Sequence, residues 1–210
     1  MKAKFGIHWF RQDLRIENNP SLISLSEKVQ QVIPIYIFDT NQRIGSVSKW
    51  WLEKSISSLS LNISKHGGKL NIFMGQPEKI ISSIIKGEKF DLFSWNRLYD
   101  PYSINRDTKI KSLISTAKIE CESHNGYLLN EPWNIKNKSG SFFKVFTPYW
   151  RNCDQVIKSN KFKKNNLKIF FVKIKINKEI NIEELNLTTN NKKWLKKIEK
   201  NWHPGEINAQ

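Results

Sequence analysis

Apolar residues along this chain fall into short runs, separated by stretches in which they recur every three or four positions. Residues 4–10, rich in Phe, Ile and Trp, predict a buried strand, and residues 32–38 predict a second. Residues 70–74, 91–95 and a stretch near 119–123 predict three more. Between them lie helical patterns. Leu22, Ile23, Leu25 and Val29 follow Asn18-Asn19-Pro20 and suggest a short helix. Ser46 or Ser48 can N-cap a long one. Its Trp51, Leu52, Ser55, Ile56, Leu59 and Ile63 share one face, and Gly67-Gly68 ends it with a left-handed cap. Pro77 opens a third helix whose Ile80, Ile81, Ile84 and Ile85 point inward, and a fourth runs around residues 107–116.

Strand alternating with helix in this way specifies an α/β class: a doubly wound, five-stranded, Rossmann-like parallel sheet with helices on both faces. Ligands of such sheets sit outside the carboxyl ends of the strands. That rule selects three loops, Phe10-Arg11-Gln12-Asp13, Phe38-Asp39-Thr40 and Trp95-Asn96-Arg97. The first is poor in glycine, which disfavours a nucleotide-activating enzyme with a phosphate loop.

After residue 151 the texture changes. Residues 155–190 are rich in Lys and Asn and weakly periodic, apart from an edge-strand pattern at 169–176, and a last short helix is expected at 191–200. The expected organisation is an α/β domain over 1–151, a linker wrapping it over 152–190, and at 191–210 the opening of a further domain.

Composition narrows the class. Hydrophobic residues make up 39% of the chain, enough for a packed core. The longest apolar run has seven residues, 32–38, against the roughly 20 that cross a bilayer. His8 and Arg11 interrupt the apolar stretch a signal peptide needs, so a cytoplasmic protein without a membrane partner is expected. Cys121 and Cys153 read as reduced thiols, and no Cys/His spacing indicates a metal. His8, His66, His124 and His203 are scattered and read as structural or solvent-facing. The net charge of +16 comes almost entirely from lysine, since only six of the 35 basic residues are arginine. Two readings stand: a polyanionic partner such as DNA, or the Lys/Asn/Ile bias of an AT-rich genome.

Three motifs carry the chemistry. The first is His8-Trp9-Phe10-Arg11-Gln12-Asp13-Leu14-Arg15 followed by Asn18-Asn19-Pro20-Ser21-Leu22. Arg11 either staples this loop through Asp13 or faces the ligand crevice. The second is Asn96-Arg97-Leu98-Tyr99-Asp100-Pro101-Tyr102 with Arg106-Asp107 beyond it. Asp100-Pro101 makes a helix start. In the third, Gly140 to Arg151, the residues Phe142, Phe143, Phe146, Tyr149 and Trp150 cover one helical face, which reads as packing. Trp9, Trp50, Trp51, Trp95 and Trp133 read as core or pocket wall.

In this order the motifs resemble the N-terminal domain of the DNA photolyase/cryptochrome family. Leu129-Asn130-Glu131-Pro132 and the closing Trp202-His203-Pro204-Gly205-Glu206 also fit, the last resembling the segment that begins the family's helical flavin domain. The resemblance implies that the α/β domain carries an antenna chromophore. The catalytic FAD, the pyrimidine-dimer cavity and most DNA contacts would lie in a helical domain outside this chain, which is therefore expected to be a truncated portion with no catalytic residue and no repair activity alone. Folate-binding relatives have an Asn-Glu pair where Tyr102 and Ser103 stand here, which favours a deazaflavin or flavin. Arg11, Phe38, Asp39, Trp51, Asn96 and Asp100 would line that pocket. Gln12 replaces an arginine common in the family, removing one charge from the loop. The implied partners are DNA, reached through the full-length protein, and a flavin-domain chain if that half is separately encoded. The alternatives are a stand-alone pigment- or nucleotide-binding module and a cryptochrome photoreceptor fragment.

Overall fold

The computed structural model describes residues 2–159, 168–188 and 193–209. Five strands form one parallel sheet: β1 (Ala3–Phe10), β2 (Val29–Asp39), β3 (Asn71–Gly75), β4 (Leu92–Asn96) and β5 (Glu120–His124). Their order is β3-β2-β1-β4-β5. The chain thus winds outward from β1 to β3 and then returns across the sheet to β4, which pairs with β1 at Gly6, Ile7 and His8. This reversal opens a crevice where the carboxyl ends of β1 and β4 diverge.

Helices α1 (Pro20–Lys28) and α2 (Ser46–Lys65) cover one face. Leu22, Leu25, Ile56, Leu59 and Ile63 pack there against Phe10, Val32 and Tyr36. Helices α3 (Pro77–Gly87) and α4 (Pro101–Thr116) cover the other, where Ile81, Ile84, Ile110 and Ile114 meet Trp9, Phe93 and Trp95. Asn19 caps α1 by accepting from the Leu22 amide at 3.2 Å, and Asp100 caps α4 by accepting from Ser103 at 2.9 Å. Both helices begin with proline, whose missing amide costs nothing in the first turn. The Asp100-Pro101 start displaces the expected beginning near residue 107. In α3, Ile81 and Ile84 are buried while Ile80 and Ile85 are only partly so.

The long helix buries Ser55, Ile56, Leu59 and Ile63 as expected and departs from expectation at its start. Its N-cap is Gly45, which has no side chain to cap with, and Ser46 already lies in the first turn. Trp50, rather than Trp51, fills the buried face, and Trp51 is 39% exposed. The expected left-handed residue after the helix is Gly67, at φ +82°.

The segment 168–188 covers an edge the short β3 leaves open. Strand β3 first meets β2 at Ile35. Upstream of that, the Val32 amide donates to Phe170 O at 2.8 Å and the Val172 amide donates to Val32 O at 3.1 Å. Ile180 then bridges Ile72 on β3. The first bridge is parallel and the second antiparallel, so the chain turns between them and no single edge strand forms at 169–176. Phe171, Ile176, Leu185 and Leu187 are buried beneath this wrap, which shields backbone groups that would otherwise invite pairing with another chain.

The aromatic face expected at residues 142–150 is not packed. Helix α5 (Phe146–Ser159) leaves Phe146 71% and Trp150 46% exposed, with their rings stacked 6.3 Å apart, and Phe142 is also exposed. Of α6 (Lys193–Glu199) and α7 (Glu206–Ala209), the first falls within the expected last helix, whose residues 191 and 192 lie outside the described set.

His8 is a buried neutral base in the sheet. Its Nδ1 lies 3.3 Å from Ser94 Oγ, its Nε2 has no partner, and its ring meets Phe10 edge-on at 4.4 Å. Desolvation drives its pKa down to about 4, with Asp13 opposing and Arg11 reinforcing the shift. The unfolded chain therefore binds a proton below pH 6.5 that the folded chain refuses until about pH 4. The stability His8 contributes is complete above pH 6.5 and falls by about 3 kcal/mol as pH drops through this window. Urea melts of wild type and His8→Gln at pH 7.5 and pH 5 should show a larger acid loss in the wild type. Equal losses would contradict the burial of a neutral imidazole.

Candidate ligand site at the strand ends

The loop after β1 folds around its own side chains. The Asp13 carboxylate accepts from the Arg11 amide at 2.9 Å and from Asn19 Nδ2 at 3.1 Å. Asn96, at the end of β4, donates Nδ2 to Asp13 Oδ2 and to Asn19 Oδ1 (2.7 Å), and its Oδ1 accepts from the Ser21 amide at 3.1 Å. Arg11 Nη2 donates to the Asn96 carbonyl. One buried amide thus ties β4, the β1 loop and the start of α1 together. Asn96 was expected to line the pocket; it lies behind it, because all of its polar atoms are used within this staple.

Beyond the staple two guanidinium groups are buried side by side. Arg11 Nη1 lies 2.7 Å from Asp107 Oδ2. Arg106 reaches Asp107 Oδ1 at 3.0 Å and Asp39 Oδ2 at 3.3 Å. Both guanidinium carbons sit about one ring-contact distance from Trp9, at 5.0 and 5.1 Å. Burial pushes the Arg11 pKa down, and Asp107 opposes that shift. Each buried guanidinium is thereby paired with a carboxylate. The Trp95 indole and the Tyr102 hydroxyl complete it, donating to Asp107 at 3.1 Å and to Asp39 at 2.8 Å.

This network forms the floor of a cavity of about 1120 Å³. Trp9, Arg11, Asp39 and Arg106 face it from the strand ends and α4. Phe38 and Leu98 add apolar wall, as do Val47, Trp51 and Leu52 of α2. Gln12, Leu14, Arg15 and Asn18 form one rim. Segment 201–209 forms the outer wall through Trp202, His203, Gly205 and Glu206. Trp202 meets Trp51 edge-on at 6.4 Å. Two buried donors at the floor, Trp9 Nε1 and Arg11 Nε, have no hydrogen-bond partner in the protein. Both atoms are shut off from solvent, so these donors lie within the packed floor rather than on the open surface of the cavity.

Four of the six expected site residues therefore come together here: Arg11, Phe38, Asp39 and Trp51. Arg11 meets Asp13 only through its backbone amide; its guanidinium turns to Asp107 and the Asn96 carbonyl and lines the crevice. Asp100 is a correction. It is a solvent-exposed helix cap and its carboxylate is turned to the Ser103 amide, so it does not reach the cavity. Arg106 was missed. Its signal was the spacing of Ser103, Arg106, Asp107, Ile110 and Ile114 along one buried helical face. The tail wall was missed too, because only tertiary folding brings residue 202 beside residue 51.

A second polar cluster stands beyond β4. Arg97 Nε and Tyr99 Oη both donate to Glu131 Oε1 at 2.7 Å, which holds the Glu131 carboxyl below its usual range against the opposing effect of burial. Among the described residues no group of three or more His, Cys, Asp or Glu side chains is placed to hold a metal ion, and no helix is long and apolar enough to cross a membrane.

Asn96→Ala removes the partner of three buried groups at once. It should destabilise the fold by about 2–4 kcal/mol in urea denaturation. A loss under about 0.5 kcal/mol, the size of an ordinary surface change, would contradict its role as the staple.

Comparison with known proteins places this geometry in context. Residues 6–166 match the family model described as DNA photolyase. A deoxyribodipyrimidine photo-lyase of Agrobacterium fabrum is 36% identical over 152 residues, which cover 72% of this chain and 32% of that protein. Cryptochrome-2 of Arabidopsis thaliana is 34% identical over 157 residues, covering 71% of this chain and 25% of that one. A bacterial class III photolyase structure from Agrobacterium tumefaciens superposes with a TM-score of 0.86 at 30% identity, over all of this chain and 43% of that one. An archaeal photolyase from Sulfolobus tokodaii shares the fold, at a TM-score of 0.71 and 23% identity over 96% of this chain and 44% of that one. The chain thus spans about a third or less of the length of these curated relatives.

Proposed function

Since the chain belongs to the DNA photolyase family, we propose that its cavity binds an antenna chromophore and that it is the light-harvesting portion of a DNA-repairing photolyase. The observation that carries this reading is the cavity of about 1120 Å³ at the strand ends, walled by Trp9, Phe38, Val47 and Trp51 above a floor of mutually paired charges. A flat heteroaromatic ring fits such a site. Trp51 and Phe38 offer apolar surface to its faces, and the floor fixes which edge points inward.

The ring is a deazaflavin or a flavin in preference to a folate. Tyr102 and Ser103 offer no carboxylate to a pterin. Tyr102 is already bonded to Asp39, and the Ser103 amide is bonded to Asp100. The archaeal photolyase that shares the fold was solved with two FAD molecules, with the implication of a novel light-harvesting cofactor. The bound ring supplies light absorption and passes the excitation onward. The residues of this chain supply position: Asp107 and the Asn96 carbonyl keep Arg11 in place, and the rigid sheet ends limit the freedom of the ring.

The chemistry on DNA belongs to a FAD-bearing portion outside this chain, either continuous with it or on a separate polypeptide. The net charge of +16 supports a polyanionic partner and favours repair over a cryptochrome's signalling role. A cytoplasmic location suits that work.

The test is the absorption spectrum of the purified protein. A near-ultraviolet or blue band should co-elute with the wild type. Trp51→Ala should weaken pigment retention about tenfold, the worth of one lost aromatic contact. Asp100→Ala should leave retention unchanged while lowering stability by about 1 kcal/mol through the lost cap. A colourless protein that also fails to take up riboflavin would refute the reading.

A further inference from the structure

The cavity has one wall unlike the others. Its floor and rim are set by the sheet, by α2 and by the Asn96 staple, all held by buried contacts. Its outer wall, segment 201–209, rests on few. The Glu206 carboxylate is the main one. Its Oε2 accepts from the Ile16 amide at 2.9 Å and from Asn62 Nδ2 at 3.2 Å, and its Oε1 accepts from the Glu17 amide at 2.6 Å. The same side chain therefore ties the tail both to the β1 loop and to α2. Gly205 permits the approach. It stands at φ +115°, and a Cβ there would lie 2.1 Å from Ser58 Oγ of α2. The remaining anchors are solvent-facing. Trp202 is 63% exposed against Trp51, and Glu199 accepts from Trp50 Nε1 at 3.3 Å.

We infer that Glu206 is a latch: it holds segment 201–209 across the mouth of the cavity, and ligand entry and release pass through its opening. The inference rests on the reading of the cavity as a chromophore site. It adds that a positioning residue nearly 200 positions from the β1 loop sets how long the ligand stays. Two charge-assisted hydrogen bonds to backbone amides are strong enough to keep the wall closed most of the time. They sit at a part-exposed position, where local opening without global unfolding is expected. Trp202 swings with the wall, so opening uncovers the apolar face of Trp51.

The experiment uses the full chain, with riboflavin as the probe. Hydrogen exchange at the Ile16 and Glu17 amides and the stopped-flow release rate of riboflavin are measured in wild type, Glu206→Ala and Gly205→Ala. In Glu206→Ala both exchange and release should rise about tenfold or more, with the melting of the sheet core unchanged. Gly205→Ala, which displaces the segment while leaving the carboxylate, should speed release similarly. Unchanged protection of both amides in Glu206→Ala overturns the latch. So does lost protection with an unchanged release rate in both variants, because the segment would then be a strap that gates nothing. If the wild type takes up no riboflavin, the chromophore reading falls, and amide exchange alone judges whether Glu206 holds the wall.

Discussion

The structure depends on keeping two arginines buried side by side. Arg11 and Arg106 lie at the point where the sheet reverses its winding, and each is paired to a carboxylate and laid against the Trp9 ring. A buried ion pair adds little net stability, since desolvation offsets most of the attraction. What it does is fix geometry. Asp107 binds both guanidinium groups and the Trp95 indole, so α4, β1 and β4 cannot shift independently. Asp39 extends the same constraint to β2 through Arg106 and Tyr102. Three strand ends and one helix are thereby set at fixed distances, and the space in front of them has a fixed shape.

That space then acquires its character from what surrounds the charges. The cations are neutralised within the floor, so the cavity does not demand a strongly anionic ligand. It presents aromatic and apolar walls instead, with Trp9, Phe38, Val47 and Trp51 among them. The same division of labour appears behind the floor, where Asn96 spends every polar atom on joining β4 to the β1 loop. Polar residues at these strand ends thus divide into those that hold the scaffold and those left over to meet a ligand. The exposed aromatics of residues 142–150 lie apart from this cavity, and the Phe146 and Trp150 rings stack on each other.

Much of the fold was legible in the sequence. The apolar runs marked β1 to β4, because a strand buried on both faces must be apolar at nearly every position, while β5, polar and half-exposed at the sheet edge, followed from the alternation of strand and helix. Errors arose where periodicity alone leaves freedom. In α2 the expected Ser55, Ile56, Leu59 and Ile63 do face inward, and only the first turn differs, with Trp50 inward and Trp51 outward. The site was half legible. Arg11, Phe38 and Asp39 were reachable from the rule about carboxyl ends and Trp51, in α2, only from the family resemblance, and the rule does not say which polar side chain faces the crevice. Asn96 and Asp100 have the right location and the wrong orientation, since local hydrogen bonds to backbone amides and neighbouring side chains claim them first. The wall built from segment 201–209 depends on contacts between residues far apart in the chain, which no local pattern encodes.

Edge-first docking of a flat ligand on the floor of this cavity has a direct test. The eight tryptophans make it directly observable, because each indole N–H gives its own nitrogen-correlated proton resonance. On titration with riboflavin the Trp9 indole signal should move furthest, that of Trp51 should move with it, and that of Trp133, which packs on Tyr99 beyond β4, should stay still. A ligand that binds while the Trp9 signal remains fixed, or that moves Trp133 and Trp150 instead, would contradict the claim.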